Sequence, residues 1–460
     1  MKAVLLIDFG STNTKVTAVD VENKEIIGTA RAFTTVKTDV TQGLDNALEK
    51  LCEKVGRINF VEKYACSSAA GGLRMLAVGL VPDLTAEAAK RAALNAGAKV
   101  LKTFSYRLND DDVKEIKSID PDILLLTGGT DGGNSKVINY NAQVIANIEN
   151  DFPVIVAGNR DVSGSVAKLL EKQGRDVRVC ENVMPEFNVL NIEPAKQTIK
   201  DLFLERIVSA KGLTKIESLQ NGILMPTPSA VLKAVSLLSE GTPTNKGLGE
   251  FMLADIGGAT TDVYSASDGI CAKTNVSFKG LPEEFAKRTV EGDLGVRYTL
   301  KYLVEEVGVE QIAKFAGVEA SLVEEYLDKI EQDPGVIAMQ GEFQNIDYAF
   351  SYFAVRLATN RHVGRVETRY TINGVVFVQT GKDLTKLDKV IGTGGPIINS
   401  VNPKGVLLAS LFDESDESVL KPKEFECFLD KDYILAGMGL LVEKYPEVAL
   451  EIMKKRIVKI

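Results

Sequence analysis

"LLIDFGSTNTKVTAVD", Leu5–Asp20, sets an acid, a glycine and a run of hydroxyl and amide side chains between two apolar segments. "LADIGGATTD", Leu253–Asp262, does the same in the other half of the chain. In the first stretch, Leu5-Leu6-Ile7 and Val16–Val19 have strand length and composition, and Gly10 to Asn13 is turn chemistry. The spacing predicts a β-hairpin with Asp8 at the end of its first strand. Peptide N–H groups and hydroxyls in such a turn make a nest for an anion, and a neighbouring carboxylate holds a hydrated divalent cation. One such hairpin in each half predicts a duplicated architecture. Facing each other, the two would grip a polyphosphate from both sides, with Asp8 and Asp255 flanking one Mg2+. The expected contacts are Gly10, Ser11, Thr12, Asn13 and Lys15 from the first turn and Gly257, Gly258, Ala259 and Thr260 from the second. A plain turn is the competing reading for either hairpin alone; the pair favours the phosphate.

Composition narrows the remaining classes. With 460 residues, 45% of them hydrophobic, the chain is long enough for two or more domains with real cores. A net charge of −9 gives no electrostatic support to nucleic-acid or membrane-surface binding. No apolar run approaches the roughly 20 residues needed to cross a bilayer, and an N-terminus running straight into a strand is not a signal peptide. The expectation is a cytoplasmic protein. The five cysteines are scattered without a C-x-x-C pair, which fits neither a zinc nor an iron–sulfur site. The only histidine is His362, so a Ser-His-Asp triad has one place to form, and no G-x-S-x-G elbow is present. Carboxylates and bound cofactors must carry any chemistry.

Strand-like and helix-like segments alternate, the mark of an α/β fold. From about Phe60 to Val183 the alternation is regular, and the strands "VEKYACS", "AKVLKTFS", "DILLLTGG", "PVIVAG" and "DVRVCENV" predict a five-strand doubly wound sheet. Glycine-rich or acidic loops follow them: "SSAAGGLR", "TGGTDGG" and "AGNRDV". In such sheets ligands and partners gather at the carboxyl ends of the strands. A mainly helical stretch, Pro194–Gly241, leads to the second core, with helices expected from Pro282 to about Arg361. Residues 1–60 and 184–241 are expected to form the first lobe, 61–183 an inserted block, and 242–460 the second lobe. "VIGTGGPII", Val390–Ile398, reads as a strand turning tightly into a helix. Gly392, Thr393, Gly394 and Gly395 there either let a flat ring lie on the backbone or fill a crowded corner.

These motifs resemble the actin-like ATPase superfamily: "DFGSTNTK" its first phosphate motif, "DIGGATTD" its second, "IGTGGP" its adenosine motif. "MPTPSAVLKAVSLLSEG", Met225–Gly241, and "ILAGMGLLVEKY" are similar to its two connecting helices. The resemblance implies a duplicated, ribonuclease H-like two-lobe α/β fold that binds ATP with Mg2+ at Asp8 and Asp255. It departs at Met225, where the Hsp70-type chaperones carry a glutamate that organises hydrolysis. Another carboxylate, Asp131 or Asp262, is then needed, and slow hydrolysis suits a conformational timer. Glu291 and Arg297, in "VEGDLGVR", either line the nucleotide cleft or cap a helix.

Within the superfamily, "AAGGLRMLAVGLVPDLTAEAAKRAALNAGAKV", "LLLTGGTDGGN", "MPTPSAV" and "RTVEGDLGVR" closely resemble the glutamate mutase L protein family, unrelated to the mismatch-repair protein of similar name. That resemblance implies an ATP-driven chaperone that frees an adenosylcobalamin-dependent mutase or aminomutase of damaged cobalamin. The loops Ser67–Arg74, Thr127–Asn134 and Gly158–Asp161 would then be the handle on the mutase. A small-molecule kinase or ATP-assisted hydrolase on the same fold is the alternative, and a homodimer stays open.

Overall fold

One strand order occurs twice. The computed structural model describes residues 2–10, 13–34, 40–68, 73–210, 223–271, 274–336, 338, 340–372 and 374–460. The chain divides into two units: Met1–Asp20, Ile27–Ala230 and Gly280–Pro282 in one; Val21–Ile26, Val231–Lys279 and Glu283–Ile460 in the other. The division falls within the helix Thr227–Glu240.

The first unit begins with β1 (Ala3–Phe9), β2 (Asn13–Asp20), β3 (Glu25–Phe33) and β4 (Phe60–Ser67). Then come β5 (Arg74–Gly79), β6 (Lys99–Ser105), β7 (Ile123–Leu126), β8 (Val154–Val156), β9 (Val177–Val179) and β10 (Ile223–Pro226). β1 is buried along its whole length, as expected of a strand covered on both faces. Its sheet runs β3-β2-β1-β4-β10, with β2 antiparallel and β4 parallel to β1, and β10 parallel to β4.

β5 to β9 form a separate, all-parallel sheet in the order β6-β5-β7-β8-β9. This is a doubly wound order whose switch point lies between β5 and β7. One of the five expected strands is exchanged. Phe60–Ser67 pairs with β1 in the first sheet, and Arg74–Gly79 takes its place in the inserted one. That six-residue strand follows Gly71-Gly72 and is buried on both faces, so it lacks the alternation that marks a strand in sequence. The two sheets share a core. Leu5, Ile7 and Ala65 belong to it with Met75, Ala77, Leu125 and Ile155. Ala88, Ala89, Ala92 and Ala93 of the helix Glu87–Asn95 are completely buried, small enough for close packing on β5 and β6.

The second unit holds β11 (Phe251–Ile256), β12 (Thr261–Ala266), β13 (Val276–Phe278), β14 (Ala286–Glu291), β15 (Arg365–Thr371) and β16 (Gly374–Thr380). β17 (Lys389–Thr393), β18 (Glu426–Asp430) and β19 (Ile457–Lys459) complete it. Its main sheet runs β14-β12-β11-β17-β18-β19. Again an antiparallel hairpin has two parallel strands on one side, and here the strand on its other side, β14, is antiparallel. This repetition is the duplicated actin-like fold, with the doubly wound sheet inserted between β4 and β10.

The expected helices from Pro282 to Arg361 are only partly present. Helices occupy Leu300–Val307, Val309–Ala316, Ala320–Gln332 and Glu342–His362, while Ala286–Glu291 is the strand β14. Pairing with β12 fixes this strand, and Arg288 within it is buried against Asp262, an ion partner 26 residues upstream. Among the described residues no helix is long and apolar enough to cross a membrane.

Candidate functional site: two matching turns

The first turn is closed by the Gly10 N–H donating to the Asn13 carbonyl at 3.1 Å. A Cβ on Gly10 would stand 2.6 Å from that same oxygen, so the turn requires glycine. Ser11 and Thr12 lie outside the described residues. Asp8 is buried and pairs across the hairpin with Lys15, whose Nζ is 3.6 Å from Oδ2. On its other side Asp8 pairs with Cys66 of β4. The thiol donates to Oδ1 at 3.6 Å, and the Thr227 hydroxyl donates to the same oxygen at 2.7 Å. Burial, and next the Asp8 charge, pushes the Cys66 thiol well up, so it stays protonated and serves as a donor. Met225, beside Cys66 in the sheet, is buried and offers no oxygen.

The second turn repeats the geometry: the Gly257 N–H donates to the Thr260 carbonyl at 2.8 Å. Asp255 occupies the place of Asp8, and its hairpin partner is Asp262 where the first turn has Lys15. Asp262 is spoken for. The buried Arg288 donates to its Oδ1 through Nε at 2.8 Å and a terminal nitrogen at 2.5 Å, and Thr260 donates to Oδ2 at 3.1 Å. Burial opposes the Arg288 charge, but the Asp262 carboxylate outweighs it and raises the guanidinium pKa.

The segment after β14 clasps this turn. Val296 N–H donates to the Gly257 carbonyl, Arg297 and Tyr298 N–H to that of Gly258, and the Thr299 hydroxyl to that of Ala259. A Cβ on Gly295 would come within 2.6 Å of the Ala259 Cα, so the clasp needs a bare residue there. Every peptide among the described residues is trans, and in a trans peptide the N–H points opposite the preceding C=O. With three successive carbonyls drawn to one side, the N–H groups of Gly258, Ala259 and Thr260 face the other. N–H groups directed together in this way can receive an anion.

Gly394, at φ +94, lies against the end of β11: a Cβ would be 2.2 Å from the Ile256 carbonyl and 2.8 Å from Asp255 Oδ1. Gly392 faces Ile397 and Leu407, and Gly395 faces the Tyr433 hydroxyl. The buried Thr393 pairs with Asp255 and donates to Asp430 at 3.2 Å. Asp430 in turn accepts the N–H groups of Ile434 and Leu435 at the start of the helix Leu435–Leu441.

Other expected residues sit apart from the turns or are committed elsewhere. Asp131 follows β7 in the inserted sheet, where its Oδ1 accepts the Arg160 N–H and the Asn182 side chain. Glu291 ends β14 and pairs with Arg361, which also holds Asp293 and Glu306. Arg297 makes a two-pronged bond to Asp347 at 3.0 Å per arm. His362 contacts the hydroxyls of Ser265 at 2.8 Å and Thr289 at 2.9 Å. His362 and Ser265 are fully buried, which makes this a core contact and not a nucleophile pair. Of the handle loops, residues 69–72 lie outside the described residues.

Sequence reasoning missed Thr227, Cys66 and Arg288. The "MPTPS" string held the signal for Thr227, a hydroxyl at the first position of a connecting helix. Cys66 and Arg288 are revealed only by strand pairing. For Mg2+, the turns supply oxygen donors of the right kind, one carboxylate each. Among the described residues no group of three or more His, Cys, Asp or Glu side chains is placed to hold a metal ion, so a cation at either turn depends on phosphate and water oxygens. The residues fit that mode of binding.

The model of the MutL protein family matches residues 4–457. Protein MutL of Clostridium tetanomorphum is 49% identical over 462 residues, covering all of both chains. Similarity to solved structures is weaker. A ligand-bound xylulose kinase from Lactobacillus acidophilus shows 11% identity and a TM-score of 0.38 over 100% of this chain and 93% of its own. The 2-hydroxyisocaproyl-CoA dehydratase activator of Clostridium difficile, with bound ADPNP, shows 10% identity and a TM-score of 0.34 over 100% and 99%. The fold assignment rests on the repeated strand order, and the sequence match over the whole chain carries the family: this chain belongs to the MutL protein family, the glutamate mutase L family that its motifs resemble.

Proposed function

We propose that this protein is a cytoplasmic, ATP-driven reactivating chaperone for an adenosylcobalamin-dependent mutase or aminomutase. The observation that carries the nucleotide part is the repeated turn bond, Gly10 to Asn13 and Gly257 to Thr260, with an aspartate ending the strand before each. The mutase part rests on family membership. In this reading the Gly258–Thr260 N–H groups bind phosphate oxygens, Lys15 adds a positive charge, and Asp8 and Asp255 hold Mg2+ through its waters. When bound, the cation neutralises phosphate charge. Nucleotide binding and slow hydrolysis switch the conformation that releases damaged cobalamin, and Asp131 remains a proposed contributor to hydrolysis or to partner binding.

The test is recovery of activity. Glutamate, ornithine and lysine mutases inactivated by turnover are incubated with this protein, Mg-ATP and fresh adenosylcobalamin. Recovery that requires ATP and is abolished by Asp8→Asn supports the proposal and identifies the partner. No recovery of any mutase, together with ADP production stimulated by a small metabolite, would replace it with the kinase or hydrolase reading.

A further inference from the structure

We infer that Thr227 is a positioning residue for Asp8, fixing which carboxylate oxygen faces the nucleotide's cation; the inference rests on the nucleotide-binding reading above. Asp8 sits in a row across the first sheet, Lys15–Asp8–Cys66–Met225. An ionised carboxylate only accepts hydrogen bonds, and both neutral donors near it, the Thr227 hydroxyl at 2.7 Å and the Cys66 thiol at 3.6 Å, address Oδ1. The cationic Lys15 lies 3.6 Å from Oδ2. The carboxylate is thereby held against rotation, with Oδ1 spent on neutral partners and Oδ2 turned to the charged side.

The backbone explains why the hydroxyl comes from this position. Met225 continues β10 into the sheet, Pro226 ends the strand, and Thr227 opens the helix Thr227–Glu240. The first polar side chain after the strand is thus brought to the carboxylate. The division between the two units follows three residues later, after Ala230. The orientation of Asp8 is therefore tied to the start of the helix that carries the chain from one unit into the other. Groups that orient a cation's ligand commonly change its affinity by about 10–100-fold when removed.

The experiment measures ATP affinity of the full chain by calorimetry, with and without Mg2+, for wild type, Thr227→Val and Thr227→Ser. Thr227→Val should raise the Mg2+ concentration needed for half-maximal enhancement of ATP binding by about 10–100-fold. Its Mg2+-free affinity should stay at the wild-type level, and Thr227→Ser should restore the Mg2+ response. Should Thr227→Val fail to fold, Thr227→Ala removes the hydroxyl without adding bulk and gives the same reading. An unchanged Mg2+ requirement in a folded hydroxyl-free variant overturns the inference alone. So does a serine variant as impaired as the valine one, since packing would then be the cause. Wild-type protein that binds no ATP overturns the nucleotide reading and this inference with it.

Discussion

Replacing Arg288 by methionine tests whether Asp262 is a structural acid or a spare catalytic one. Arg288 and Asp262 are 4% and 8% exposed, and two guanidinium nitrogens reach one carboxylate oxygen. Asp262 also stands directly across the hairpin from Asp255, where like charges repel. Arg288→Met keeps most of the side-chain volume but leaves a buried carboxylate with the Thr260 hydroxyl beside it and Asp255 opposite. Removing one partner of a buried pair costs about 3–5 kcal/mol, because the remaining charge has lost its compensation. At about 2–4 °C per kcal/mol for a unit of this size, the second unit's melting transition should fall by about 10 °C. Differential scanning calorimetry of the full chain reads this directly. The double variant Asp262→Asn, Arg288→Met should recover most of the loss, since no charge is then stranded. A single-variant loss below about 1 kcal/mol, or a double variant no better than the single, would refute the reasoning and return Asp262 to the list of candidate bases.

Gly394→Ala forces a Cβ to within 2.2 Å of the Ile256 carbonyl at a backbone φ of +94, so it should lower the melting temperature more than Gly249→Ala, whose Cβ meets nothing within 4 Å although its φ is also positive. Lys382 is fully buried, its ammonium donating to the Phe285 carbonyl at 2.6 Å; burial, and next the nearby Lys287, pushes its pKa down from 10.5 to about 7. Between those values the unfolded chain binds a proton that the folded chain does not, so urea midpoints should rise with pH from about 7 to 10.5, and Lys382→Met should flatten that slope. Burial also holds His362 well below 6.5, so stability should fall as pH drops below that value, and His362→Gln should blunt the fall. If the inserted sheet's loops grip the mutase, Asp131→Ala with Arg160→Ala should weaken binding of the responsive mutase at least tenfold by calorimetry; unchanged affinity would sink the handle.

Local chemistry made the two hairpins legible. Asp-apolar-Gly followed by small polar residues specifies a strand end and a turn within ten residues, and both turns form with the same bond. What resisted reading was set by distant partners. Arg74–Gly79 carries no alternation because both its faces are covered, one by the core shared with the first sheet and the other by the core of the inserted sheet. β14 fell inside a stretch expected to be helical, and its strand is fixed by pairing with β12, where Asp262 holds Arg288 inside. Arg297 was open to two readings in sequence, a cleft contact or a helix cap; its bond to Asp347, 50 residues away, takes both arms of the guanidinium and was legible in neither. Gly392 and Gly394 were open to two readings in sequence, a bare surface for a ring or a crowded corner. The contacts at both are crowded, and Gly394 is crowded against the very strand end that carries Asp255.

The repeated architecture also lets the two halves be compared position by position, and they differ in charge. Across the first sheet the row reads Lys15–Asp8–Cys66, one cation against one acid. Across the second it reads Asp262–Asp255–Thr393, with Asp430 hydrogen-bonded to Thr393 and Arg288 bound to Asp262. The second turn therefore sets an acid, Asp262, where the first has a cation, Lys15. In the nucleotide reading its demand for a cation arises there, from Asp255, whose Oδ1 lies beside the bare Cα of Gly394. Asp255→Asn should accordingly act in opposite directions: Mg2+-free ATP should bind more tightly than to wild type, because a repulsive charge is gone, while Mg-ATP should bind more weakly. The ratio of the two affinities, measured by titration calorimetry with and without a chelator, should shift by about tenfold or more. Equal weakening of both forms would mean that Asp255 supports the turn mechanically, and that the cation requirement belongs to Asp8 alone.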